Sequence, residues 1–303
     1  MSSPLTPRVE AWRASGEMDS FRGHAIFTRT FEGPEGPVLV FLHGYPSSSY
    51  DFRDVLPGLE GLIEGPEGRA ALLFDFLGFG LSDKPPDHTY SLFWQADLVE
   101  DLIRRRFPGR DVFVVAHDMG TSVATELLAR AVEDRLPFPL AGMLLFNGSI
   151  ILTRASLTPA QKLLRSRIGP LAARLSNERV FRRQFGALFT EAHPLSDEEA
   201  ADQWALICHN GGRTMGAATI YYLGERIRFA ERWHGAIRDW DGPLSLAWGM
   251  RDPVATTNVL DGVRELRPQA PVDELDGLGH YPQLEDPARV ARSIREAVAR
   301  SHT

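Results

Sequence analysis

The chain has 303 residues, 43% hydrophobic and 24% charged, enough to bury a sizeable core as one large domain with room for an inserted subdomain. A formal net charge of -7, with the acids dispersed rather than gathered in a tail, argues against a nucleic-acid binder and against any large polyanion as partner. No run reaches the roughly 18 apolar residues that a membrane span needs, and the first turns carry no apolar leader, so a cytoplasmic protein is expected. Cys208 is the sole cysteine; it rules out an internal disulfide and a cysteine-rich metal site, and reads as a small buried side chain.

In chain order, Val9 to Trp12 and His24 to Phe31 read as an antiparallel edge pair, and the glycines and prolines of Glu32 to Pro37 as the turn out of it. Val38 to Leu42, Ala70 to Phe74, Val112 to Ala116, Gly142 to Phe146 and Leu244 to Trp248 are near-continuous apolar runs, the mark of strands covered on both faces. Helical patterns alternate with them, Thr121 to Val132 among these, which predicts an α/β fold with a largely parallel sheet. From about Ser149 to Gly235 no strand is legible and the pattern is helical and arginine-rich, an insertion above the carboxyl ends of the strands where open α/β sheets bind ligands. Its arginines read as solvated helix faces. Val272 to Leu275 and a final helix from Gln283 to Arg300 close the chain.

Four strand ends carry chemistry. Ala116-His117-Asp118-Met119-Gly120-Thr121 has the small flanking residues that a sharp strand-to-helix elbow requires, with an aspartate at its tip and a helix N-terminus behind it. An aspartate is already ionised at neutral pH, so it attacks without a base. Its productive target is a saturated carbon with a leaving group or in a strained ring, and the product is an alkyl ester. The competing reading of Asp118 is an ordinary helix N-cap. Phe41-Leu42-His43-Gly44-Tyr45-Pro46 leaves the strand before it, and Gly44 lets the Tyr45 N–H approach; with the Met119 N–H it forms a two-donor oxyanion hole. Asp252 follows Trp248-Gly249 and His280 follows Gly277-Leu278-Gly279, giving nucleophile, acid and histidine in that chain order. Gly78-Phe79-Gly80 lacks the third glycine of a dinucleotide fingerprint, and His43 and His117 lack metal-ligand spacing, so neither cofactor nor metal is expected.

These motifs resemble the α/β-hydrolase family over nearly the full chain, and within it the branch with aspartate nucleophiles, the epoxide hydrolases and haloalkane dehalogenases. His43-Gly44-Tyr45-Pro46 matches the family's H-G-x-P motif. Asp75 to Pro85 and His280 to Pro287 are most similar to the mesoderm-specific transcript subgroup. The resemblance implies a sheet of about eight strands with helices on both faces, a core formed by 1–148 and 236–303, and a helical lid at 149–235. His43 and Tyr221 are further candidates for substrate binding, His43 and His117 being otherwise read as hydrogen-bonded scaffold residues. Dehalogenases of this branch carry a tryptophan directly after the nucleophile; Met119 stands there. The epoxide hydrolases use lid tyrosines as proton donors, and Tyr222 is the candidate, sharing a helix face with Phe229 and Trp233. An arginine shortly after the nucleophile, of the kind that grips a substrate carboxylate, is missing from 121–124. The expected protein is a monomer or homodimer that opens epoxides through a covalent ester on Asp118, takes a small apolar or amphipathic substrate and water, and needs no cofactor. A dehalogenase with an atypical halide site and a non-catalytic binding protein of the same fold are the alternatives.

Overall fold

The apolar runs pair into one eight-stranded sheet. In this computed structural model, which describes residues 4–301, the strands are β1 (Glu17–Phe21), β2 (His24–Pro34), β3 (Val38–Leu42), β4 (Arg69–Phe74), β5 (Val112–His117), β6 (Leu140–Phe146), β7 (Leu244–Gly249) and β8 (Val272–Leu275). Their spatial order is β1-β2-β4-β3-β5-β6-β7-β8, antiparallel as far as β4 and parallel from there on. Strand β3 shows why the runs are continuous. Val38, Val40 and Leu42 join the apolar cluster on one face, Leu39 and Phe41 the cluster on the other, and all five are fully buried.

Helices α1 (Pro7–Ala14), α2 (Leu92–Arg106) and α3 (Met119–Val132) precede β6. Leu98, Val99, Val123 and Leu127 of α2 and α3 cover one face of the sheet. Val9 to Trp12, expected as an edge strand, lies in α1 instead. Thr6 caps its N-terminus and Pro7 occupies the first turn, and Val9 and Trp12 are three residues apart on one buried face, which is a helical spacing. The edge strand is the more polar Glu17–Phe21.

Between β6 and β7 the chain forms α4 (Pro159–Leu164), α5 (Gly169–Arg174), α6 (Glu178–Gly186), α7 (Asp197–Cys208), α8 (Gly216–Thr219), α9 (Tyr222–Arg228) and α10 (Ala230–Asp239), with no strand among the described residues. A buried polar network fastens α7 to the core: the Tyr50 hydroxyl donates to Asp202 Oδ2 at 2.7 Å and Gln203 Nε2 to Asp51 Oδ1 at 2.8 Å. Residue 235, the expected end of the insertion, lies inside α10, and α10 packs on α3, where the Trp233 indole N–H donates to Glu126 Oε2 at 2.9 Å. After β7 come α11 (Thr257–Leu266), β8, α12 (Pro282–Glu285) and α13 (Pro287–Arg300). The expected final helix is broken because Pro287 has no N–H to continue α12, and Asp286 instead caps α13 by accepting from the Arg289 N–H at 2.9 Å. Val290, Ile294 and Val298 of α13 cover the second face of the sheet. No helix among the described residues is long and apolar enough to cross a membrane.

Candidate active site

Asp118 sits between β5 and α3 at φ 42°, ψ -109°, a backbone conformation that costs a non-glycine residue energy and marks a held functional position. Its side chain makes no capping bond to α3, so it is not the ordinary N-cap considered from sequence. Close neighbours enforce the elbow. A Cβ on Gly120 would meet the Leu42 carbonyl oxygen at 2.3 Å, and one on Gly44 would meet the Asp118 Cβ at 2.9 Å. With Gly44 bare, the Tyr45 N–H reaches Asp118 Oδ2 at 3.0 Å. The Thr121 N–H and hydroxyl both donate to the Asp118 carbonyl, at 3.1 and 2.6 Å, and Met119 opens α3, where first-turn N–H groups lack helical partners.

His280 and Asp252 meet as the motif order predicted. His280 Nδ1 donates to Asp252 Oδ2 at 2.7 Å, which leaves Nε2 as the basic nitrogen. Asp252 is held in turn by the Val254 and Ala255 N–H groups on Oδ1, at 2.7 and 3.0 Å, and by Asn147 Nδ2 on Oδ2 at 2.7 Å. Burial works against charge on both partners. Their mutual attraction outweighs it, holding the Asp252 carboxyl below its usual range and, with help from Asp118, the His280 imidazole above the ordinary 6.5. Asn147 escaped the sequence reading, although it directly follows β6 and also accepts from the Gly249 N–H at 3.0 Å, so it ties the ends of β6 and β7 to the acid.

The two other histidines are scaffold. His43 Nδ1 bonds the Gly44 carbonyl at 2.8 Å and Nε2 accepts from the Phe76 N–H at 3.0 Å. Burial lowers its pKa to about 4, so it is neutral with both nitrogens engaged, and the expected substrate-binding role does not fit it. His117 is alike: Nε2 donates to the His280 carbonyl at 2.8 Å, Nδ1 accepts from Gln283 at 3.2 Å, and burial again lowers the pKa to about 4.

The inserted segment delivers two groups to the nucleophile. Tyr222 is 1% exposed, its ring lies 5.7 Å from that of Tyr45, and its hydroxyl bonds no protein group among the described residues. Burial first, then the Asp118 charge, pushes this phenol well above its usual range, which keeps the proton on it. The second group is Arg226, one helical turn on, which sequence reasoning left among the solvated arginines. It is buried; Nη2 donates to the Asp118 carbonyl at 2.9 Å and stands 3.8 Å from Oδ1, while Nε donates to Ser122 Oγ at 2.5 Å. Its Nη1 bonds no protein group among the described residues, and its Cζ is 4.8 Å from the centre of the Tyr222 ring. Its partner Asp118 lies 108 positions away, so no local signal marked it. Tyr221 lies elsewhere, 48% exposed beside Arg165 and Pro170 on an outer depression, so it does not bind substrate at this site.

A mostly apolar cavity of about 130 Å³ opens between the insertion and the strand ends, with Tyr45, His280, Leu164, Phe181, Phe185 and Trp204 on its wall. Asp118 and Tyr222 are not on that wall and lie more deeply buried. No cluster of three or more His, Cys, Asp or Glu side chains suited to a metal occurs among the described residues.

Comparison with known proteins agrees with this geometry. The sequence matches the alpha/beta hydrolase fold family over residues 37–287. LipZ of Mycobacterium tuberculosis (strain ATCC 25618 / H37Rv), a protein named as a hydrolase, is 54% identical over 288 residues, 95% of this chain and 97% of its own. The mesoderm-specific transcript homolog protein of Bos taurus is 35% identical over 291 residues, 93% of this chain and 85% of its own. Haloalkane dehalogenase DbeA from Bradyrhizobium elkani USDA94 superposes with a TM-score of 0.77 at 23% identity, over 95% of this chain and 98% of its own, a likeness of fold alone. An elbow after β5, an acid after β7 and a histidine after β8 on this sheet thus accompany relatives that span the chain almost end to end, and the protein belongs to the α/β-hydrolase fold family.

Proposed function

We propose that the protein is a hydrolase acting at an electrophilic saturated carbon, and that the substrate is an epoxide opened to a diol. Asp118 Oδ1 attacks a ring carbon while Oδ2 stays on the Tyr45 N–H; the carbon–oxygen bond of the ring breaks, and the departing oxygen takes the Tyr222 proton. His280 then removes a proton from water, and the resulting hydroxide adds to the Asp118 carboxyl carbon. The tetrahedral oxyanion rests on the Tyr45 and Met119 N–H groups, each worth about 3 kcal/mol by analogy with other such donors. Collapse breaks the ester bond, the departing alkoxide takes the proton of the new Asp118 carboxyl group and leaves as the diol, and the proton on His280 restores Tyr222 by way of solvent. The insertion acts as a lid that carries the proton donor.

The observation that carries this reading is the Tyr222 hydroxyl, buried, protonated and bonded to no protein group among the described residues, within the field of Asp118. Met119 in place of a tryptophan speaks against a halide site of the usual kind. The test is His280→Phe incubated with a panel of aliphatic and aryl epoxides and followed by intact mass spectrometry. The chain gains the whole mass of the epoxide, localised to Asp118, because ring opening expels nothing. A panel that leaves the mass unchanged rejects the epoxide; mass gain with halide release from haloalkanes alone makes the protein a dehalogenase, and ligand binding without turnover in the wild type makes it a binding protein.

A further inference from the structure

We propose that the outer face of the insertion, formed by α4, α5 and the start of α6, docks on an anionic lipid surface and brings the mouth of the cavity against it. This goes beyond the proposed reaction and does not depend on it. The observation is the company the exposed side chains keep. Ile168, Leu171 and Leu175 are 59%, 58% and 70% exposed, and Leu163 and Val180 are each 42% exposed. All five line one cleft, so they form a single apolar surface rather than scattered exceptions. Around them in the chain stand Lys162, Arg165, Arg167, Arg174, Arg179, Arg182 and Arg183, against Glu178 as the one acid of 162–183.

Other arginine-rich stretches are neutralised; Arg104, Arg105 and Arg106 of α2 each reach an aspartate. In this segment only Arg182 does so, pairing with Glu178 and Asp197, and no ion pair forms at Lys162, Arg165, Arg167, Arg174, Arg179 or Arg183 among the described residues. A chain with a net charge of -7 thus presents an unpaired cationic rim around an apolar centre. A solvated helix face accounts for the cations but not for the leucines among them. A partner of opposite charge with an apolar interior accounts for both, and an exposed apolar surface with cations close by in the chain suits an anionic bilayer interface. Tyr221 extends the surface: its depression shares Leu164 with the apolar cleft, and an exposed tyrosine suits the headgroup level. Ala160, Leu164, Ala173, Ser176 and Gln184 line both this cleft and the cavity below, so a substrate dissolved in lipid would meet the cavity directly.

Flotation of the purified full-length chain with vesicles of phosphatidylcholine, alone or with phosphatidylglycerol, tests this. Binding is expected to the phosphatidylglycerol vesicles, to be lost at high salt, and to fall about tenfold or more in Arg174→Glu/Arg179→Glu, since each cation near such a surface is worth about fivefold. Leu171→Ser/Leu175→Ser is expected to lose binding as well, while Arg292→Glu on α13 retains it. Wild type that fails to float with anionic vesicles, that floats equally with neutral ones, or whose binding survives both double substitutions overturns the proposal. So does concentration-dependent self-association, without vesicle binding, that Leu171→Ser/Leu175→Ser abolishes, because the occupant of the face is then a second copy of the chain. The comparison of lipids and of salt needs no variant to fold.

Discussion

Tyr222→Phe separates the chemical role of the lid tyrosine from its packing role. The ring is buried against Tyr45 and beneath the Arg226 guanidinium, contacts that phenylalanine keeps. Only the hydroxyl is removed, and it bonds no protein group among the described residues. A buried hydroxyl without a partner costs about 1–3 kcal/mol, so its deletion leaves stability unchanged or raises it. For a chain of this size each kcal/mol moves Tm by about 1.5–2 °C, so the variant is expected to melt at or above the wild-type temperature. Ring opening loses its proton donor, and general acids contribute about 100-fold or more, equivalent to at least about 2.7 kcal/mol of barrier. The assay is the rate of ester formation in a His280→Phe background, where hydrolysis cannot mask it, measured by quenched mass spectrometry beside a thermal melt. A variant that forms the ester at the parental rate refutes the proton-donor assignment. One that melts several degrees lower refutes the claim that the hydroxyl is structurally idle.

The remaining predictions concern charge. Arg226→Gln removes a cation 3.8 Å from Asp118 Oδ1, where a pair at an effective dielectric of about 20 is worth roughly 4 kcal/mol. Urea unfolding should show a loss of about 3–5 kcal/mol, and a loss under about 1 kcal/mol contradicts the pairing. Hydrolysis of the ester needs neutral His280, whose imidazole the Asp252 carboxylate raises against the effect of burial, so this step accelerates with rising pH. Asp252→Asn should move the midpoint down, and an unmoved midpoint means that the carboxylate does not govern the imidazole. Burial pushes the Asp51 carboxyl from 3.8 up to about 7, so its protonated form favours folding. That contribution is whole below the lower value and is lost as pH rises through the higher one, at most about 4 kcal/mol in all. Urea unfolding at about pH 5 and about pH 8 should show the loss in wild type and not in Asp51→Asn.

What the sequence made legible follows from how locally each feature is encoded. Strands buried on both faces have no polar alternation to blur their ends, and Val38–Leu42 falls where the apolar run placed it. The elbow, the acid and the histidine sit within a few residues of strand ends, so their short motifs reveal them. Val9 to Trp12 misled because four residues of mixed character fit either period, and the deciding cue was the Thr6-Pro7 cap just before them. Arg226 was invisible for a different reason. It bonds Asp118 across 108 positions, and in its own helix it looks like any other arginine of the insertion. Exposed Arg174 and buried Arg226 have the same local grammar, and only tertiary packing tells them apart. Asn147 belongs to the same class, since its role exists only where β6, β7 and the His280 loop converge.

The buried pairing of Asp118 with Arg226 bears on why an aspartate can stand at this elbow at all. A neutral serine tolerates an apolar surround, but a carboxylate that is 2% exposed needs charge compensation to stay ionised without destabilising the fold. The first turn of α3 and the Tyr45 N–H supply partial charges; Arg226 supplies a whole one. Under the proposed reaction the negative charge leaves Asp118 as the ester forms and passes, by way of the opened oxygen, to the Tyr222 oxygen that gave up its proton. The guanidinium is near both stations, 3.8 Å from Asp118 Oδ1 and 4.8 Å from the centre of the Tyr222 ring, with Nη1 bonded to no protein group among the described residues. Charge therefore moves within the field of a single fixed cation rather than away from it, so the same residue that permits the carboxylate also lowers the cost of discharging it. Because that cation arrives on α9, the proposed reaction makes the insertion part of the catalytic machinery rather than only its cover.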